Sequence, residues 1–271
     1  MNLQNIFSEI EKVDGEIFDR LAHVSRRGLF SSLTKKTIAV AAPAIMASAL
    51  NKSYGQALPQ GVKDVLNFAL ALEYLESGFY NTGGNLTMIP TIYKEAFEII
   101  RRHEEVHVKL LRTVLGADAI PMPKFDFTAK GTFPDVFSNF QTFSAVAQTF
   151  EDTGVRAYKG QAPNLMVAPA ILQVALQIHA TEAAHAANVR QLRGQKGWIT
   201  GGTAAMQGLP AVVNASYAGE ENVVQAGANL ASLLVGNAAL KIPITMDMVT
   251  ESFDEPLTKD QVLAIVAPFF A

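Results

Sequence analysis

Four long stretches of this chain repeat apolar residues at the three- and four-residue steps of one helix face. The first runs from about Gly61 to Tyr80, "GVKDVLNFALALEYLESGFY", and stops at the breaker string "NTGGN". The second begins near Pro90, a proline tolerated in a first helical turn, and ends at Gly116. The third spans about Pro134 to Tyr158, and the fourth runs from about Asn164, an acceptable N-cap, to Gly194. In the fourth, Pro169 marks a late start or a bend, because proline lacks the N–H that a helix interior needs. After Gln195 the pattern breaks into the Gly-rich "GWITGGTAAMQG", with shorter helices expected around Glu220–Leu234 and Lys259–Ala267. Thr258 and Gln261 have capping-box spacing for the last of these.

The connections set the order of packing. The first two helices, and again the last two, are joined by short links, so each pair forms an antiparallel hairpin. Between the hairpins lies "ADAIPMPKFDFTAKGTF", which bears prolines and has no helical period. Two hairpins joined by one long crossover make the ferritin-like form of the four-helix bundle. The expected fold is therefore all-α, with residues 58–194 as the bundle and 195–271 as a helical C-terminal extension packed on it.

Sliding the chain against itself by 78 positions superposes the two hairpins and selects residues. Glu73 falls on Glu151, Tyr80 on Tyr158, Glu104 on Glu182, His107 on His185, Arg112 on Arg190 and Gly116 on Gly194. In both halves a lone glutamate precedes an E-x-x-H pair by 31 residues. Residues three apart on a helix project about 60° from each other, so each pair presents a carboxylate and an imidazole to one point. Glu73, Glu104, His107, Glu151, Glu182 and His185 together form the ligand set of di-iron and di-manganese bundles. Four carboxylates offset the charge of two divalent ions, which is how so much charge can be buried.

The same offset ranks the neighbours. Glu76 falls on Gly154, so Glu73 is the better ligand and Glu76 a reserve. His103 and His179 fall on Thr181 and Arg101, and both are read as packing or ligand-steadying residues. Arg101, Arg102 and Glu105 belong to a solvated face. Tyr80 and Tyr158, seven residues beyond Glu73 and Glu151, are the candidate catalytic residues, placed to hydrogen-bond a ligand or a metal-bound oxygen. Ordinary core packing is the alternative for both.

Composition narrows the chemistry. A formal charge of −3 argues against a nucleic-acid partner. The chain has no cysteine, which excludes disulfides, iron–sulfur clusters, a rubredoxin-type site and a thiol nucleophile. Nitrogen and oxygen ligands favour iron, manganese or zinc over Cu(I), and the di-iron and di-manganese ligand pattern makes zinc the less expected of the three.

Residues 1–57 read as an N-terminal extension. "SRRGLF" at Ser25–Phe30, followed by the apolar run Ile38–Leu50, resembles a twin-arginine export signal. Possible cleavage points follow Ala49 and Ala57. A helix on the mature domain, or an uncleaved anchor, is the other reading. The signal implies a periplasmic or otherwise exported protein with no stable membrane span after cleavage.

The phrases "LNFALALEYLESGFY", "RRHEEVHVKLL", "TFEDTGVRAY" and "TEAAHAANVR" resemble the ferritin-like superfamily. Within it, the likeness is to bacterial ferritin-like-domain proteins related to the desiccation-associated proteins of plants. The late "SFDEPLTKDQVLAIVAPF" resembles the C-terminal ending of that group. The resemblance implies a pair of metal ions, with Glu104 and Glu182 bridging, Glu73 and Glu151 terminal, and one histidine on each ion. It implies oxidoreductase chemistry on O2 or hydrogen peroxide, ferroxidase, peroxidase or catalase-like, with an unnamed electron donor and a possible homodimer. A non-enzymatic metal-binding or stress-protective protein is the alternative.

Overall fold

A computed structural model describes residues 58–83, 87–237, 239 and 243–271. The N-terminal segment, and with it the export-signal and cleavage readings, lies outside the described residues. Four long helices dominate: α1 (Gln60–Gly83), α2 (Thr91–Leu115), α3 (Phe140–Gln161) and α4 (Pro169–Leu192). α1 packs on α2 and α3 on α4, as two antiparallel hairpins. The hairpins meet where α1 lies against α3 and α2 against α4, and residues 116–139 cross between them. The fold is all-α and mostly helical, as the periodicity predicts. Among the described residues no helix is long and apolar enough to cross a membrane.

The helices divide into two kinds. α2 and α4 each bury a single stripe and turn the rest to water. α1 and α3 are buried nearly all round from Val65 to Tyr80 and from Phe143 to Tyr158, so something must cover their outer faces. The crossover covers α1, where Gly78 lies against the rings of Phe127 and Phe125. The C-terminal extension covers α3 through α7 (Lys259–Val266) and the short 3₁₀ turn Ala211–Ser216. Gly160 on α3 is there for this contact: a Cβ would sit 1.9 Å from the Leu257 carbonyl oxygen.

α1 and α3 each run three residues past their expected ends, to Gly83 and Gln161, and three larger departures have local reasons. α3 starts at Phe140, six residues after Pro134, because the Asn139 side chain accepts from Gln141 N and caps it there. The apolar residues before it pack without being helical; Phe133, for instance, stacks on Phe269 at 6.2 Å. α4 starts at Pro169, the late start the proline predicts, while Asn164 belongs to a separate 3₁₀ turn. The helix expected over Glu220–Leu234 is only α5 (Leu230–Leu234). Ahead of it Ala226 and Gly227, both at positive φ, turn a small hairpin of β1 (Val224–Gln225) and β2 (Ala228–Asn229). A further short helix, α6 (Met246–Thr250), precedes α7. The capping box of Thr258 and Gln261 is present at α7.

Candidate metal centre

The buried stripe of α2 includes Phe97, Ile100, Glu104, His107, Leu111 and Leu115, and that of α4 includes Ile171, Val174, Ile178, Glu182, His185 and Val189. In both, an acid and an imidazole stand at core positions where the helix period calls for apolar residues. Glu73 of α1 and Glu151 of α3 complete the ring. All four carboxylates are 0% exposed, and the two imidazoles are 7% and 4% exposed, so this is no solvated face.

Ligand atoms of Glu73, Glu104, His107 and Glu182 all lie within 4.8 Å of one another, and so do those of Glu104, Glu151, Glu182 and His185. Glu104 and Glu182 belong to both groups. His107 Nδ1 lies 3.2 Å from Glu73, 3.3 Å from Glu104 and 3.1 Å from Glu182. His185 Nδ1 lies 2.8 Å from Glu104 and 3.3 Å from Glu151. Yet Glu104 Oε1, Glu151 Oε2, both Glu182 oxygens and His185 Nδ1 make no well-directed hydrogen bond, close as they lie to one another. Buried acceptors without donors are costly, and here they converge on common points. That is the arrangement two cations would satisfy, so the donor set fits a pair of metal ions.

Electrostatics agree. Burial raises Glu104, with the Glu182 charge adding to it, and pushes Glu151 up to about 7 against the pull of His185. For Glu182 burial works the same way, but the adjoining His107 and His185 outweigh it and hold the carboxyl below its ordinary range. Burial alone would lower both histidines; the Glu73 and Glu151 carboxylates overcome this and raise His107 and His185 respectively. Without an ion, the cluster therefore stores protons that an ion must displace. Metal uptake is expected to release more protons at pH 6 than at pH 8, because Glu151 is already ionised above about 7, and affinity should climb with pH. Calorimetry in buffers of different ionisation enthalpy counts those protons; affinity that falls as pH rises would rule out this ligand set.

The tyrosines reach across the repeat. Tyr80 donates to Glu151 at 2.5 Å and Tyr158 donates to Glu73 at 2.5 Å, so each steadies the glutamate of the other half. Burial and the accepting carboxylate push both phenols up, which keeps them neutral donors. Neither is free to act as an independent acid in this arrangement. The exposed His103 stacks on His185 at 5.2 Å, its Nδ1 2.9 Å from His185 Nε2. That contact leaves His185 Nδ1 facing the carboxylates and sets the ring's orientation. His179 donates instead to the Val155 carbonyl at 3.0 Å, on the backbone of α3.

Glu76 lies outside both four-residue groups but beside them. It is 3% exposed, and a Cβ on Gly154 would sit 3.1 Å from its Oε1 and 3.5 Å from Glu182 Oε2. One space thus serves two positions of the repeat, and only one of them can carry a long side chain. Burial, then the charges of Glu182, Glu104, Glu151 and Glu73, push Glu76 well up. The pairing of Arg112 with Arg190 hides another motif. Arg190 makes a two-pronged bond to Asp152 at 2.9 and 2.6 Å, whereas Arg112 donates to Tyr74 at 3.1 Å. Tyr74 and Asp152 are also 78 apart, which was the available signal.

Residues 61–195 match the family model of the ferritin-like domain. This segment is a ferritin-like domain. No curated protein matches the chain. The ferritin-like domain runs from the first turn of α1 to just past α4, so it contains all six clustered residues. Arg190 also lies in the ferritin-like domain, whereas its partner Gln207 lies beyond the matched range, 2.9 Å away.

Proposed function

We propose that the ferritin-like domain holds two redox-active ions, iron or manganese, and reduces O2 or hydrogen peroxide in a protein exported by the twin-arginine route. The observation that carries this is the sharing of Glu104 and Glu182 between two otherwise separate four-residue groups. Shared carboxylates would bridge two ions, with Glu73 and His107 on one and Glu151 and His185 on the other. When bound, such a pair supplies two electrons, each ion passing from the divalent to the trivalent state. O2 takes two electrons and two protons and leaves as hydrogen peroxide; hydrogen peroxide takes the same number and leaves as two waters.

The chain's own contribution is geometric and electrostatic. Tyr80 and Tyr158 hold the terminal carboxylates, His103 orients His185, and burial keeps bulk water from the donor atoms. The resemblance of these phrases to desiccation-associated proteins supports a role in oxidative or desiccation stress. Ser25–Phe30 and the apolar run after it support export. Folding around the metals before export would secure the chosen metal against competitors that bind more tightly outside.

The test is stopped-flow absorbance of the Fe(II)-loaded protein mixed with O2 or with peroxide. Oxidation faster than that of free Fe(II) in the same buffer is expected. A rate equal to free metal, with the Mn(II)-loaded protein also inert to peroxide, would leave the ions a stapling role and exclude turnover.

A further inference from the structure

The two ends of the bundle are packed differently although the repeat relates them. Around Tyr80 sit Phe79, Phe97 and Phe143, each 0% exposed. Phe79 stacks on Phe143 at 4.8 Å, and Phe97 meets Phe143 edge-on at 5.2 Å. These rings plug that end. Offset by 78, their counterparts around Tyr158 are Ala157, Ala175 and Val65. Three rings are thus replaced by two methyls and an isopropyl group. A cavity remains between the four helices, with about 520 Å³ of empty space counting its open side, walled by those three residues and Tyr158 among others.

Its position is next to the metal centre. Ala69 on the wall is one turn before Glu73, Ile178 one turn before Glu182, and Leu111 one turn after His107. Tyr158 forms the partition, its ring in the cavity wall and its hydroxyl on Glu73. The unobstructed part has room for a molecule about the size of one or two waters. All wall residues except half-buried Val114 are buried.

The wall also selects by polarity. Its only side-chain polar groups are the Tyr158 hydroxyl, committed to Glu73, and the Gln161 amide, whose oxygen accepts from Asn164 at 3.0 Å. A buried water needs two to four polar partners, and hydrogen peroxide loses its hydration in the same way. Dioxygen has no hydrogen bonds to lose and is small enough for that space.

We infer that the cavity beside Tyr158 is a binding and delivery site for dioxygen, made by the loss of the aromatic plug that fills the Tyr80 end. The inference rests on the redox reading above and selects O2 over peroxide as the oxidant this route serves. Xenon, an apolar probe of similar reach, is expected to occupy the cavity in pressurised crystals of the full chain. Restoring the plug with Ala175→Phe should exclude xenon and slow oxidation of the Fe(II)-loaded protein by O2 by about tenfold or more, since a ring fills the void. Oxidation by peroxide should change less than about twofold, because the donor set is untouched. Ala175→Leu, a smaller insertion, should give an intermediate O2 rate and guards against misfolding of the larger variant.

Absence of xenon from the wild-type cavity overturns the inference, as does an O2 rate unchanged in both variants. Equal slowing with both oxidants also overturns it, since that reports damage to the centre. A wild-type protein inert to both oxidants would sink the redox reading, while the xenon result still decides the cavity on its own.

Discussion

Glu104→Ala and Glu182→Ala are each expected to reduce metal content from two ions per chain to one or none. Both carboxylates belong to both four-residue groups, so each change removes a donor from two places at once. Glu73→Ala removes a donor from one group only and should be milder. Each substitution still leaves both imidazoles a buried carboxylate, Glu73 for His107 and Glu151 for His185, so the fold should persist. The buried acceptors that lack donors, Glu104 Oε1 and both Glu182 oxygens, are the groups being deleted. Elemental analysis alongside circular dichroism reads both quantities. A stoichiometry that stays near two in either bridging variant would defeat the six-residue site.

The second large effect lies away from the centre. Arg156→Met is expected to destabilise the protein by about 3–5 kcal/mol, because it leaves the buried Glu220 carboxyl without its cation and three backbone carbonyls without a donor. The Arg156 guanidinium is 0% exposed and donates to the carbonyls of Ser216 at 2.5 Å, Ala218 at 2.7 Å and Glu255 at 2.8 Å. It also pairs with Glu220 at 2.8 Å, which is itself 1% exposed. One α3 side chain thus fastens two separate stretches of the C-terminal extension. The double variant Arg156→Met/Glu220→Gln should recover part of the loss, since it deletes both charges together. Urea unfolding of the four members of that cycle measures the coupling. A single-variant loss below about 1 kcal/mol would show that the extension is held by apolar packing instead.

The local elements were legible because their causes are local. An apolar residue every three or four positions is a property of twenty neighbouring residues, so α1 to α4 were placed to within a few residues at most ends. The main exception is the start of α3, where Val136 is buried and Phe137 packs on Phe79 of α1 at 5.6 Å without being helical. Periodicity cannot distinguish those from a helix face. The hairpin at Ala226–Gly227 has a weak local signal, since "VVQAGAN" carries one Gly and neither the Asn-Gly nor the Asp-Gly pair that marks a two-residue turn.

For the site, the sequence by itself determined which acids and imidazoles to bring together. The 78-residue repeat marks the same face of each helix twice, and a helix makes spacing equal to direction. Only the tertiary structure decided what each of those residues touches. Tyr80 and Glu151 are 71 residues apart, and Tyr158 and Glu73 are 85 apart, so the crossed hydrogen bonds depend on how the hairpins dock. The same holds for His103 on His185, for Glu76 in the space left by Gly154, and for the cavity where Ala157, Ala175 and Val65 replace three rings. A repeat specifies that two halves are alike. Where they differ, the outcome is set by volume and by the relative placement of four helices, and those are properties of the packed molecule.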